Sequence, residues 1–200
     1  MKNLLFVPGA AGAAAFWNPL IERFPAAWQA RAIDLPGLGS VPAQSDVHGY
    51  EDLVVHVART ITTPTAVVAQ SMGGFIALRL VLRYPQLVTH LVLVAVTGGI
   101  DVNGHGGIDW REDYAAAFPH AQAWARAPVP DLSSQLGQIS IPVLLIWPTR
   151  DVLSPLSVAH TLASKIRSAT LVTFDSDDHW IVHRLPDESV AAIRSFIDCK

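Results

Sequence analysis

Cysteine is almost missing from this chain. Of its 200 residues only Cys199 is one, so no intrachain disulfide can form and a reducing compartment fits best. Charge is scarce as well: 14 Lys and Arg stand against 17 Asp and Glu, the charged fraction is 16%, and the formal net charge is -3. That balance excludes the basic face that nucleic acid requires and a polybasic membrane patch. No apolar stretch is long enough to span a bilayer. Lys2 followed by Leu4-Leu5-Phe6-Val7 and Ala10 to Ala15 loosely imitates a signal peptide, but Pro8-Gly9 interrupts the apolar run too early. The expectation is a cytoplasmic protein with no nucleic-acid and no membrane partner. Phosphate loops are missing too, because neither Gly98-Gly99 nor Gly104-His105-Gly106-Gly107 carries G-K-[ST] or G-x-G-x-x-G at the start of a helix. His179 and His183 have i, i+4 spacing but lack the glutamate of H-E-x-x-H, so no metal site and no cofactor are expected.

What the chain has in quantity is apolar sequence. Half of its residues are hydrophobic, enough for one domain with a sizeable core across 1–200. Asn3 to Val7 reads as a buried strand ending in the small-residue loop Pro8-Gly9-Ala10-Ala11-Gly12. A helix is expected around Trp17 to Phe24, and a short strand at Arg31-Ala32-Ile33 runs into the turn-rich Asp34-Leu35-Pro36-Gly37-Leu38-Gly39-Ser40. Tyr50, Leu53, Val54, Val57, Ala58 and Ile61 recur on one helical face. Ala66 to Ser71 is a strand, followed by a helix to about Tyr84 that Pro85 stops. Leu87 to Val96 and Pro142 to Trp147 are further strands. Ser154-Pro155 reads as an N-cap and N1 pair opening a helix, Ala169 to Phe174 is the last strand, and a final helix has Pro186 in its first turn.

Strands alternating with helices imply an α/β fold: a mostly parallel sheet of about six strands with helices on both faces. Between Thr97 and Gln138 the rhythm breaks, with only Trp110, Tyr114 and Phe118 at helical spacing and Leu132 to Leu136 as a further short helix. Ligands of such sheets bind beyond the carboxyl ends of the strands. The Pro8 to Gly12 loop, Ser71, Asp151 and His179 each lie just after a strand and so share that edge.

Ala69-Gln70-Ser71-Met72-Gly73 stands where an apolar strand turns without a break into a helix. A serine held at such a turn projects its hydroxyl above the sheet. The plain alternative is that Ser71 is a helix N-cap. A serine hydroxyl becomes a nucleophile only when a base takes its proton, and an imidazole serves when a carboxylate fixes its other nitrogen. The chain supplies these groups in the order Ser71, Asp151, His179.

At these residues the sequence resembles the α/β-hydrolase superfamily. The likeness runs through Pro8-Gly9-Ala10, Asp34 to Ser40, the Ser71 turn, Ile141 to Trp147 leading to Asp151, and Asp178-His179. It implies Ser71 as nucleophile, His179 as general base and acid, and Asp151 as the orienting carboxylate. It further implies an oxyanion hole from the backbone N–H groups of Met72 and Ala10, with Ala11 as the alternative donor. The segment from about 97 to 130 is where the family carries its lid, so Trp110 and Tyr114, with Ala11 and Trp180, are expected around the substrate. Departures are Pro8 for histidine, Ala69-Gln70 for Gly-His, Pro148 for glycine and Asp178 for glycine. The leading antiparallel strands of the full fold are expected to be absent. The function implied is a cofactor-independent serine hydrolase, a carboxylesterase acting on small acyl esters through an acyl-enzyme. A lyase or carbon–carbon bond hydrolase on the same fold, and a non-catalytic binding protein, are the alternatives.

Overall fold

The computed structural model describes residues 2–199. Its strands are β1 Lys2–Val7, β2 Trp28–Ala32, β3 Thr65–Gln70, β4 Val88–Val94, β5 Val143–Pro148 and β6 Ala169–Phe174. All pair in parallel, in the order β2-β1-β3-β4-β5-β6. Successive side chains on a strand point to opposite faces, and the apolar runs exploit both. Leu5, Val7, Val67, Ala69, Leu91, Leu93, Val143, Leu145 and Trp147 enter one core, which α2 (Tyr50–Arg59), α3 (Gly73–Arg83) and α5 (Leu156–Lys165) cover. Leu4, Phe6, Ala66, Val68, Val92, Val94, Leu144 and Ile146 enter the other, beneath α1 (Asn18–Ile21), α6 (Ile181–Arg184) and α7 (Pro186–Asp198). Each large aliphatic side chain so buried contributes about 1.5–3 kcal/mol, which is why the central strands are apolar throughout rather than alternating.

Chain order reverses between β1 and β3: β2 lies outside β1 on one side, while β3 to β6 follow on the other. A crevice opens at such a switch point beyond the strand ends. The loop after β1 and Ser71 after β3 are its two lips.

Several boundaries differ from the sequence expectation. The helix awaited at Trp17 to Phe24 is a 3-10 turn, Ala14–Trp17, followed by the single α-turn of α1, because Pro19 and Pro25 bracket too short a run. Strand β2 begins at Trp28, in register with Lys2, and ends at Ala32. Strand β4 stops at Val94 because Ala95 adopts φ 42 and turns the chain. Ser154 is not an N-cap. Pro155 occupies that position with extended dihedrals, while the wholly buried Ser154 donates its hydroxyl to the Val96 carbonyl at 2.6 Å. Leu132 to Leu136 is a turn leading to a 3-10 turn at Leu136–Gln138. Within 95–142, the segment joining β4 to β5, the one α-helix among the described residues is α4, Arg111–Ala117, with Trp110 at its N-cap.

Candidate active site

Ser71 sits between β3 and α3 with φ 53, in the left-handed region that a side chain normally avoids. Such a conformation costs about 1–3 kcal/mol and persists where the surroundings over-determine it. Here they do. The Ser71 N–H donates to the Val94 carbonyl at 3.0 Å, and the Ser71 carbonyl accepts from Gly74 N–H at 2.9 Å and Thr97 N–H at 3.2 Å. The helix after it starts against its neighbours with no room for a side chain. A Cβ on Gly73 would lie 2.3 Å from the Pro8 carbonyl oxygen, and one on Gly74 2.2 Å from Val96 Cγ1. The N-cap of α3 is Met72, without a side-chain bond, so the capping alternative for Ser71 falls away and its hydroxyl is free for the cleft.

That hydroxyl meets His179. Ser71 Oγ lies 2.9 Å from His179 Nε2, and His179 Nδ1 lies 2.7 Å from Asp151 Oδ2. Asp151 is held from its other side, where Oδ1 accepts the N–H groups of Leu153 at 2.8 Å and Ser154 at 3.1 Å. Both partners of the His179–Asp151 pair are buried, and an acceptor-only carboxylate there fixes the imidazole tautomer with its proton on Nδ1. Nε2 is then an acceptor, and Ser71 donates to it. The direction of the third contact follows. Thr97 Oγ1 is 3.2 Å from Ser71 Oγ, and because the serine proton is engaged by His179, Thr97 is the donor to Ser71.

The other carboxylates near in sequence are occupied elsewhere. Asp101 accepts the Gly104 N–H at 3.0 Å, Asp175 pairs with Arg150, and Asp178 accepts the Trp180 N–H at 2.8 Å. Asp177 is exposed.

A cavity of about 330 Å³ opens over Ser71 and His179. Among the described residues, no protein acceptor takes the backbone N–H of Ala10, Ala11 or Met72, so these donors on the two lips remain available to an oxyanion. Ala10, Ala11, Trp110, Tyr114 and Trp180 line the cavity, while Met72 is core. Phe118 joins them. Sequence reasoning missed Phe16, Gln70, Thr97, Asp113 and Leu153, which share the wall. Only Gln70 carried any signal, as the departure from the family's histidine before the serine. Thr97 reaches the site through the turn at Ala95, and Phe16 is held by His183, whose Nε2 donates to its carbonyl at 2.6 Å while the rings stack at 4.3 Å. Among the described residues no group of three His, Cys, Asp or Glu could hold a metal ion, and no helix is long and apolar enough to cross a membrane.

With this geometry established, likeness to known proteins becomes informative. The profile of the Alpha/beta hydrolase family matches residues 4–133 and that of the TAP-like protein family residues 108–198. A pimeloyl-[acyl-carrier protein] methyl ester esterase from Neisseria meningitidis serogroup C is 25% identical over 244 aligned positions, which take in 99% of this chain and 94% of the relative. A thermophilic esterase structure from Thermogutta terrifontis superposes with TM-score 0.79 at 20% identity, over 98% of this chain and 89% of that one. A carboxylesterase structure from Bacillus subtilis gives 0.78 at 17%, over 100% and 84%.

Proposed function

The chain belongs to the alpha/beta hydrolase family, and from that premise we propose that it is a carboxylesterase in which Ser71, His179 and Asp151 act as nucleophile, general base and acid, and orienting carboxylate. The observation that carries this is the unbroken line from Ser71 Oγ through both nitrogens of His179 to Asp151 Oδ2. In the first half-reaction Ser71 Oγ attacks the ester carbonyl as its proton passes to Nε2. The imidazolium that forms is stabilised by Asp151. Charge developing on the carbonyl oxygen is met by the N–H groups of Met72 and Ala10, with Ala11 as the alternative. His179 then gives the proton to the departing alcohol. In the second half a water repeats the attack on the acyl-enzyme, with His179 again as base, and the acid is released.

The substrate class we infer is a small-molecule ester with a short acyl group. The 330 Å³ cavity and its apolar walls support this reading, and the activity named for the Neisseria relative, cleavage of a methyl ester, supports ester hydrolysis itself. We assign the segment from about 97 to 130 as a short lid on a single domain. The test is labelling with a fluorophosphonate followed by mass mapping. The adduct is expected on Ser71, and Ser71→Ala is expected to lower kcat on p-nitrophenyl butyrate by on the order of 10⁴ or more. An adduct on another serine, or an active Ser71→Ala protein, overturns the assignment.

A further inference from the structure

Thr97 follows β4 and is brought to the nucleophile by the turn at Ala95, where φ is 42. Main chain and side chain both tie it to Ser71: its N–H donates to the Ser71 carbonyl at 3.2 Å, and its Oγ1 lies 3.2 Å from Ser71 Oγ. The residue before it is pinned as well, because the Val96 carbonyl accepts the hydroxyl of the wholly buried Ser154 at 2.6 Å. Ser154 N–H donates in turn to Asp151 Oδ1 at 3.1 Å. These contacts close a ring that runs from Ser71 through His179 to Asp151 and back through Ser154, Val96 and Thr97. Thr97 is the point at which the returning arc touches the reacting oxygen. The direction of that touch decides what it can do. Ser71 commits its proton to His179 Nε2, so Oγ accepts from Thr97. As the proton passes to Nε2, negative charge grows on Oγ, and a hydrogen bond to a charged acceptor is shorter and roughly twice as strong as one to a neutral hydroxyl. A contact that rests at 3.2 Å has room to tighten as the reaction proceeds.

We propose that Thr97 is a further catalytic residue, whose hydroxyl stabilises the charge that Ser71 Oγ carries in both half-reactions. The proposal rests on the hydrolase reading above. In the first half-reaction Oγ is the attacking atom: its proton goes to His179 Nε2 and its electron pair forms the bond to the carbonyl carbon. In the second it is the departing atom, when the bond from the acyl carbon breaks toward Oγ and the oxygen takes a proton back from His179. Thr97 keeps its own proton throughout and lends only a hydrogen bond. Because that bond gains strength as charge develops, it favours the transition state over the resting enzyme. Valine keeps the shape of threonine without the donor, and serine keeps the donor without the methyl group.

The experiment measures the rate of inactivation by diethyl fluorophosphate, a small probe that reports the attack by Oγ, beside kcat and KM on p-nitrophenyl butyrate. In Thr97→Val the inactivation rate is expected to fall about tenfold, the gain of a hydrogen bond on acquiring a charged acceptor, and kcat and kcat/KM to fall by a similar factor. Thr97→Ser, which restores the donor, is expected to recover most of that loss. Should Thr97→Val fail to fold, Thr97→Ala against Thr97→Ser makes the same comparison. An inactivation rate in the variant without the hydroxyl that stays within about twofold of wild type overturns the proposal. So does a Thr97→Ser protein as slow as that variant. A loss confined to KM overturns it too, since Thr97 would then be a wall of the cavity and nothing more. Failure of the hydrolase reading looks different: the wild-type protein itself would take no adduct on Ser71.

Discussion

Asp151 divides its carboxylate between two tasks, Oδ1 accepting two backbone N–H groups and Oδ2 the Nδ1 proton of His179. Asparagine is the same size and can keep the first task. Its NH2 group, however, cannot accept from Nδ1 and favours the tautomer that no longer takes the proton of Ser71. Asp151→Asn is therefore expected to lose on the order of 10⁴ in kcat with its melting temperature little changed. Asp101→Asn should cost far less, since that carboxylate accepts from Gly104. Steady-state rates for the two variants, beside thermal melts, decide the matter, and the reverse order would move the acid to Asp101. These three residues were legible because each follows an apolar strand and a hydroxyl, an imidazole and a carboxylate in that arrangement have few other purposes. Thr97 and Phe16 were not legible. Their approach to the site depends on the turn at Ala95 and on a stacking partner 167 positions away, and neither leaves a pattern in the sequence.

Among the elements, the segment between β4 and β5 is the least regular, yet it is fastened at several points. The Tyr114 phenol accepts the Gly39 N–H at 2.7 Å, the Tyr50 phenol donates to the Ala125 carbonyl at 2.6 Å, Gln122 N–H reaches the Gly37 carbonyl at 3.0 Å, and Ile108 N–H the Val152 carbonyl at 2.9 Å. Gly39 in turn lies against the loop after β1, where a Cβ would come within 2.0 Å of the Ala11 carbonyl oxygen. Tyr114→Phe leaves the Gly39 N–H buried and unpaired, at a cost of about 1–3 kcal/mol. It should lower the melting temperature and raise KM more than it lowers kcat; an unchanged melt would mean that water replaces the phenol. Burial raises the phenol pKa of both Tyr50 and Tyr114 above the ordinary value. A raised folded pKa means that this stabilisation is fully present below the unfolded value of about 10 and is lost as pH rises through the folded one. The denaturant midpoint should accordingly fall above about pH 10, and fall less in Tyr114→Phe. The periodicity of Trp110, Tyr114 and Phe118 announced α4, but nothing local announced these fastenings. For the same reason Ser154 misled: its sequence neighbourhood is that of a cap, and its actual partner, the Val96 carbonyl, is 58 positions distant.

At the scale of the whole molecule, the six strands and their two covering layers were readable because apolar runs alternate along the chain with helical patterns. The cavity over Ser71 ends at Trp110, Tyr114 and Phe118, with Trp180 half-exposed at 54% beside His179. A methylene that finds an apolar wall gains roughly 0.8 kcal/mol and one in water gains nothing, so kcat/KM on p-nitrophenyl esters should peak between acetate and hexanoate. Faster turnover of palmitate than butyrate would require a deeper cap than the structure has. Part of the wall stands on a different footing from the chemistry. Ser71 hangs from β3, Asp151 from β5 and His179 from β6, whose registers are locked by the ladder. Phe16, Leu153 and Trp180 stand after β1, β5 and β6, whereas the part of the wall carried by 95–142 leaves the sheet at β4 and rejoins it at the adjacent β5. Residues inserted or deleted there displace no strand, so the choice of acyl group is heritable apart from the reaction, and a lineage carrying this chain can change its diet without relearning how to cut an ester.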